Sequence, residues 1–561
     1  MTHAPSTVLH WNWVPHDWTG AVQLAAWIAL GTALIALASD IPKALENRSV
    51  RRRVMLIGLL ALAARLLVPL LPFNWHSGVL NVDLGGPIYS KDTTYMPFPN
   101  QLITFTLGFH GILVFNILTC IASAILAWHV ARRVGYGERV ALLLGLAIAL
   151  TPMYVRLSSS DSTHMLALPL WWLAALAMQR LVDGTGGRID RVVLFASIAV
   201  ACPIRIEAGL TMPAVTLLVA RDFAGLRRVW EARRRWLPPL VLGLLVGMAC
   251  NAAHHGGSWQ YRLGQFNVIV FTVQMIARVL FLASPDPFGW IPVIYVFVIW
   301  YYLWSRWKQG DRAEVAATVL PFVLFSIPYA YSGTAIGTEL PATAYGITID
   351  MFLLLAAAKG TALVYERLRE RMVNVELRWR VVAAVAAALI LFGSFAIPYR
   401  RTYAYMEEFG FLSRSLPRGK AKILAIWDPV CPGGDYDCCL ALPYPTFVGD
   451  FPELEWHILG HDDVGDALAD LDFDYYYPGS LMSVDVDHLN SWFIGRLFPD
   501  DEMNARQQAA LRELRSIDET IRTRYPLEAY RQESMPAHTF SWAPFRDDRM
   551  TLTLYRRVAE Q

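Results

Sequence analysis

Charge is scarce in this chain: 17% of its 561 residues are Asp, Glu, Lys or Arg, whereas 55% are hydrophobic and 12% aromatic. Soluble globular domains carry about a quarter charged residues, so a water-soluble enzyme is excluded as the simplest reading. The GxGxxG and GxxxxGK[ST] strings that cradle nucleotide phosphates are missing, and so is the HExxH of zinc peptidases. Their absence removes nucleotide-binding and zincin-type readings. The opening stretch "MTHAPSTVLHWNWVPHDW" lacks the basic n-region of a signal peptide, so the first apolar run is expected to stay as an anchor. Cysteines number six. Cys120, Cys202 and Cys250 fall in apolar runs, where a buried thiol is a small apolar residue. Cys431, Cys438 and Cys439 lie in "CPGGDYDCC". A bridge from Cys431 to Cys438 or Cys439 would close that Gly-rich loop in an oxidising compartment, and a metal site is the alternative.

What is abundant is long apolar runs. Mean hydropathy is +0.35, and runs long or nearly long enough to cross a bilayer as helix recur through the first 400 residues. Spans are expected near 18–38, 54–71, 111–131, 140–155, 165–181, 192–204, 207–220, 237–252, 286–304, 314–331, 346–364 and 381–397. That makes about twelve, with 192–204 and 207–220 short enough to form a partly inserted hairpin. The run 266–284 is interrupted by Gln274 and Arg278 and is placed as an interfacial helix.

The net charge of +2 conceals two opposite regions. Residues 401–561 hold 16 basic and 27 acidic residues, and residues 1–400 hold 33 and 20. The expected architecture is therefore an α-helical polytopic membrane domain, 1–400, followed by a small soluble α/β domain, 401–561. In the latter, "AKILAIWD", "LEWHILG" and "RMTLTLYRRV" read as strands. "DDVGDALADLDFDYYYPGS" reads as a helix running into a strand, and "NARQQAALRELRSIDETIRTRY" as a helix.

Sidedness follows from where basic residues collect. Alternate loops hold 26 of the 33 Lys and Arg before residue 401, and such loops are retained in the cytoplasm. Both termini and the 401–561 domain are then extracytoplasmic, in a multi-pass protein of the plasma (inner) membrane. Four polar segments share that outer side. Residues 72–101 carry Asp83 and Asp92; "RLSSSDSTH" carries Arg156, Asp161 and His164; "CPIRIEAG" carries Arg205 and Glu207; "NAAHHGGSWQYRLG" carries His254, His255 and Arg262. Arg65 adds a charge in the outer half of the second span. Ionisable groups at membrane depth are costly and tend to mark function.

Each residue also has a plainer role. Asp161 or Ser158–Ser160 can cap the helix that follows, Asp92 in "SKDTTY" can make an Asx turn, and Arg205 can pair with Glu207. Arg65 can snorkel to the interface, and the adjacent His254 and His255 lack a third metal ligand. Together they suit one chemistry. A carboxylate can take the proton of an acceptor hydroxyl as general base, and guanidinium groups can hold a lipid phosphate as it departs with negative charge. That is glycosyl transfer from a polyprenyl-phosphate sugar.

The stretch from "NVDLGG" through "YMPFPNQLITFTLGFHG" to "TPMYVRLSSSDSTHM" resembles the polytopic GT-C glycosyltransferases. The resemblance lies in an early Asp-bearing external loop, a "Y-P-P-L"-like segment entering a helix and a "tP…s…D" loop. "CPIRIEAGLTMPAV" is similar to the family's "R-P-E-G-L" segment, with Ile206 in place of the Pro. The pattern covers roughly 54–220. The resemblance implies a dolichyl- or polyprenyl-phosphate sugar donor, a glycan, lipid or protein acceptor, inversion at the anomeric carbon and a first-loop Asp as base. Membrane lipids are further partners, and nucleic acid is not.

Site roles follow: Asp83, Asp92 and Asp161 catalytic; Arg65, His164, Arg205, Glu207 and Arg262 substrate-binding. The residues name no cofactor, and a divalent metal, Mg or Mn, stays open as an assistant to the reaction. The chain departs from the pattern in having Asp83-Leu84 where the family has Asp-Glu, and one extra span ahead of the family's first. Asp83 is favoured over Asp92 as base by its distance before "YMPFP". Two other classes compete: a lipid or glycan transporter or flippase, and a non-enzymatic membrane protein with a binding ectodomain. Transporters place charges at the midplane and usually show internal repeats, whereas these charges gather at one face and no clear repeat joins the halves.

A reporter that is active only in the cytoplasm, fused after Gln561, is expected to stay silent. A strong signal would overturn the sidedness and every assignment made from it.

Overall fold

The computed structural model describes residues 18–38, 41–66, 98–151, 154–155, 158, 164–204, 212–254, 293–320, 347–371, 411–426, 453–459, 468–479, 501–536 and 549–558. The helices are α1 (Trp18–Ala38), α2 (Ile41–Glu46), α3 (Arg48–Leu66), α4 (Phe98–Val134), α5 (Glu138–Leu150), α6 (His164–Val182) and α7 (Arg188–Ile204). They continue as α8 (Met212–Ala220), α9 (Phe223–Glu231), α10 (Arg233–His254), α11 (Val293–Lys308), α12 (312–320) and α13 (Ile347–Arg371). Three carry windows long and apolar enough to cross a membrane by length and composition: Ala21–Ala38, Leu113–Val134 and Met165–Val182. The expected count of twelve spans goes beyond these three. The run 381–397 and the interfacial helix 266–284 lie outside the described residues.

Apolar sequence sets the helix positions, and small residues set how closely the helices approach. The strongest contacts join α7 to α10, α6 and α1, and α4 to α5 and α6, while α13 packs on α11 and α5. On α10, Gly243 and Gly247 repeat at a spacing of four. A Cβ at Gly247 would lie 2.7 Å from the Cβ of Cys202, and one at Gly243 2.7 Å from the carbonyl oxygen of Phe195. This is the small-residue packing by which helices associate in lipid, where burial of apolar surface gives no net drive. Gly360 of α13 likewise faces the Val298 carbonyl of α11. The outer surfaces remain apolar: Ile35 is 77% exposed and Phe297 69%, as a lipid-facing wall requires.

Gln23 ties the extra first helix to the bundle by donating to the carbonyl of Ala199 in α7 at 3.1 Å. At the ends of the helices that border the basic loops lies a second polar junction. Lys359 of α13 donates to Glu314 Oε1 of α12 at 2.7 Å, and the Tyr302 hydroxyl donates to the same carboxylate. The Lys359 ammonium lies 5.0 Å from the centre of the Tyr136 ring, whose hydroxyl donates to the Leu218 carbonyl at 3.2 Å. Helices α8, α11, α12 and α13 and the turn after α4 meet there.

The C-terminal part holds a five-stranded mixed sheet in the order β2-β1-β3-β5-β4. Its strands are β1 (Ala421–Ile426), β2 (Leu454–Leu459), β3 (Tyr475–Tyr477), β4 (Leu527–Pro536) and β5 (Arg549–Arg557). β1 lies between β2 and β3 and runs parallel to both; β5 runs antiparallel to β3 and to β4. Helix α14 (Asp501–Arg524) covers the sheet with Leu514, Ile517 and Ile521, which join Leu424, Ile426, Leu459 and Tyr476 in one buried cluster. The Tyr476 hydroxyl donates to Asp518 Oδ1 at 2.7 Å, and Arg522 donates to that oxygen and to the Tyr555 hydroxyl. Burial pushes the Tyr476 hydroxyl well above its ordinary pKa, so it stays a neutral donor. Strands β1, β2, β3 and β5 and helix α14 stand where the sequence placed them. The helix expected before β3 falls mostly outside the described residues, and β4 had no counterpart in the expectations.

Removing one member of a buried pair leaves the other charge uncompensated and typically costs about 3 kcal/mol or more. Lys359→Met is therefore expected to lower the thermal unfolding temperature of the detergent-solubilised protein. Adding Glu314→Gln to it should recover most of the loss. Recovery absent from the double variant would show that the lysine acts through packing instead.

Candidate active site

Of the residues assigned a role from sequence, Arg65 has a described side chain. Asp83, Asp92, Asp161, Arg205, Glu207 and Arg262 lie outside the described residues, as do Arg156, His255 and the cysteines of "CPGGDYDCC". His164 opens α6, and His254 closes α10. Among the described residues, no group of three or more His, Cys, Asp or Glu is placed to hold a metal ion.

Arg65 does not snorkel. Its side chain is fully buried, 0% exposed, and its donors are spent inside the bundle. Nε donates to Ser158 Oγ at 2.7 Å; one terminal nitrogen donates to the carbonyls of Ala61 at 2.7 Å and Ala149 at 2.8 Å; the other donates to Cys120 Sγ at 2.7 Å. No carboxylate approaches it among the described residues. Instead Arg65 sits one residue from the end of α3, and Ala149 one residue from the end of α5. The C-terminal end of a helix carries about half a negative charge on unsatisfied carbonyls. The end of α5, through the Ala149 carbonyl, offsets the charge of the guanidinium without an acid, and the Ala61 carbonyl, one turn back in α3, is a further acceptor.

Ser158 is the second correction. It does not cap α6. Its hydroxyl donates back to the Tyr154 carbonyl at 2.6 Å while accepting from Arg65, so it belongs to a helical turn after α5, of which Tyr154, Val155 and Ser158 are described. Cys120 is likewise more than an apolar filler, because its sulfur accepts from the guanidinium. Asn116, Cys120 and Ser123 are all fully buried on one side of α4, at helical spacing, and form a polar line through the bundle.

The lengths of the helices locate this polar line. α5 has 13 residues, about 20 Å, against a hydrocarbon thickness of about 30 Å. It cannot cross alone. α4 has 37 residues, about 55 Å, and more than crosses. α5 therefore stops short of a full crossing, and the sequence that follows it, 151–163, holds Asp161, while 205–211 hold Arg205 and Glu207.

The Lys359–Glu314 junction went unread in the sequence. The signal was available: a Glu opening one expected span and a Lys inside another are the costly charges that ought to name each other as partners.

A mostly helical, multi-helix chain with a small C-terminal sheet domain is the class that fold and polar line define. No family model matches the chain, and no curated protein matches it. Solved structures do. One is ArnT from Cupriavidus metallidurans bound to undecaprenyl phosphate, at 13% identity and a TM-score of 0.44, over 90% of this chain and 97% of that one. Another is the oligosaccharyltransferase AglB from Archaeoglobus fulgidus in complex with an inhibitory peptide and a dolichol-phosphate, at 10% identity and a TM-score of 0.39, over 77% of this chain and 69% of that one.

Arg65→Met keeps length and removes the donors, leaving the Ala149 carbonyl without its partner; a loss of about 2–3 kcal/mol follows from hydrogen bonds to a charged group. Arg65→Lys should recover part of it, since the charge stays while the planar fork is lost. If Arg65 held the donor phosphate directly, Arg65→Met would instead weaken donor binding and leave the unfolding temperature unchanged.

Proposed function

We propose that the chain is a membrane glycosyltransferase. It moves a sugar from a polyprenyl-phosphate-linked donor to an extracytoplasmic glycan, lipid or protein acceptor, with inversion at the anomeric carbon. The observation that supports this reading is α5, too short for a full crossing, ending at the fully buried Arg65. A recess at such a helix end suits a substrate whose reactive phosphate sits at the membrane surface while its chain stays in lipid. It suits a soluble donor poorly.

In this reading the acceptor hydroxyl oxygen bonds to the anomeric carbon from the face opposite the phosphate. Its proton passes to the carboxylate of Asp83, and the bond from that carbon to the phosphate oxygen breaks, leaving the electron pair on polyprenyl phosphate. Arg205 holds that phosphate as its charge grows; charge-assisted contacts to phosphate are about twice as strong as neutral ones. Asp161 orients the acceptor or the donor sugar, with His164, Glu207 and Arg262 lining the same recess. Arg65 supports the turn that leads to Asp161. No step in this scheme is assigned to a metal ion.

The test is incubation of purified protein with a panel of labelled polyprenyl-phosphate sugars, scoring consumption of each. Loss of a general base typically removes a factor of about 10²–10⁴ in rate. Asp83→Asn should abolish turnover yet leave donor binding nearly intact, because the amide keeps shape and loses basicity. Arg205→Ala should weaken donor binding, and Asp161→Asn should fall between the two. Wild-type rates in both Asp83→Asn and Asp92→Asn would exclude a first-loop base. Loss in Asp92→Asn alone would move the base by nine residues.

A further inference from the structure

The link between α8 and α10 is built unlike the other turns. The chain leaves α8 through Arg221, a non-glycine residue at φ 70°, and enters the short helix α9, whose N-cap Asp222 accepts from the Gly225 amide at 2.6 Å. One face of α9 is fixed to the bundle. Val229 is buried and its carbonyl accepts from the Trp236 indole at 2.8 Å; Arg228 donates to the Val219 carbonyl at 3.3 Å and lies 3.9 Å from Asp183. Arg235 rests over Gly184.

Among the described residues the opposite face has no such covering. Phe223, Arg227 and Trp230 follow at spacings of four and three, so they share one stripe of α9, and Arg234 follows in the first turn of α10. Phe223 is 39% exposed and Trp230 59%, two large aromatics turned outward beside cations. Arg233 lies 5.0 Å from the centre of the Trp230 ring and donates to its carbonyl. Residues 221–235 hold six Arg against Asp222 and Glu231. Asp222 is committed to the cap, and Glu231 to Arg227 at 3.0 Å. The Arg234 side chain has no partner among the described residues. Aromatic and basic side chains recur on α11, where Lys308 covers Trp304 at 4.1 Å and Arg312 covers Trp307 at 5.3 Å. Trp and Arg together mark the headgroup level of a membrane.

We infer that α9 and the turn after it form a binding site for acidic phospholipid headgroups of the cytoplasmic leaflet. Phe223 and Trp230 enter the boundary between headgroups and acyl chains, while Arg227, Arg233 and Arg234 meet the lipid phosphates. The occupant is read from two properties that a soluble anion does not share. The exposed aromatics need an apolar neighbour, and the excess of guanidinium needs a negative one. Aromatic side chains at headgroup depth and basic side chains beside acidic lipids are the two kinds of group that such an interface holds.

The full-length protein in neutral detergent, examined by native mass spectrometry, tests this. The probes are short-chain phosphatidylglycerol, phosphatidylcholine with the same chains, and glycerol phosphate, which has the anion and no chains. Saturable adducts are expected with phosphatidylglycerol alone. Each juxtamembrane basic residue is worth about five-fold in affinity for an acidic surface, so R227Q/R233Q/R234Q should weaken binding about 100-fold. Arg234→Gln by itself, which disturbs no described contact, should weaken it about five-fold, and Trp230→Ala should also reduce it. Equal binding of phosphatidylcholine would overturn the proposal, as would equal binding of glycerol phosphate, which would mark a site for a soluble anion. Unchanged affinity in Arg234→Gln and in the triple variant would overturn it as well.

Discussion

A buried guanidinium with no acid beside it among the described residues is the constraint around which the helical domain is arranged. A charge at that depth is expensive, and the bundle meets the expense with geometry. α5 ends at Arg65, so its Ala149 carbonyl faces the guanidinium, and the Ala61 carbonyl, a hydroxyl and a thiol take the remaining directions. This requires α5 to stop where it does. A longer α5 would bond the Ala149 carbonyl within its own helix and withdraw it from the guanidinium. The early end of α5 and the position of Ser158 thus go with one satisfied cation.

The junction on the other side of the bundle uses the opposite solution. Lys359 and Glu314 neutralise each other directly, and two tyrosines surround them. Direct pairing leaves no residual charge to interact with a ligand. Dipole pairing leaves a formal cation at the end of α5.

How much of this was legible depended on whether burial writes a pattern. α1 was read end to end, because an unbroken apolar run has one interpretation. α4 was read only in its second half: "FPNQLITFTLGFHG" is punctuated by Asn100, Gln101, Thr104 and His110, so no apolar run announces a helix that backbone bonding nevertheless continues. β4 was missed because it lies at the sheet edge and its described residues from 528 to 534 are exposed; alternation arises only when one face is hidden. Arg65 was picked out as unusual, but its partners were not legible. Three of them are contributed by α4, by the end of α5 and by the turn after it, and two of its contacts are to carbonyls, which no side-chain pattern records. The candidate carboxylates were named from their chemistry and from loop charge, and they lie outside the described residues.

The position of β5 has a consequence in time. Inside the sheet, β5 separates β3 from β4, so residues 475–477 have no neighbour on that side until residues 549–557 have been made and have arrived. Synthesis runs from the amino end, and the gap between those segments includes the whole of α14. During that interval β3 presents an open edge, the kind of surface on which wrong pairings start. β3 is three residues long, and so brief an edge offers a stray strand little to hold while the domain waits for its last piece.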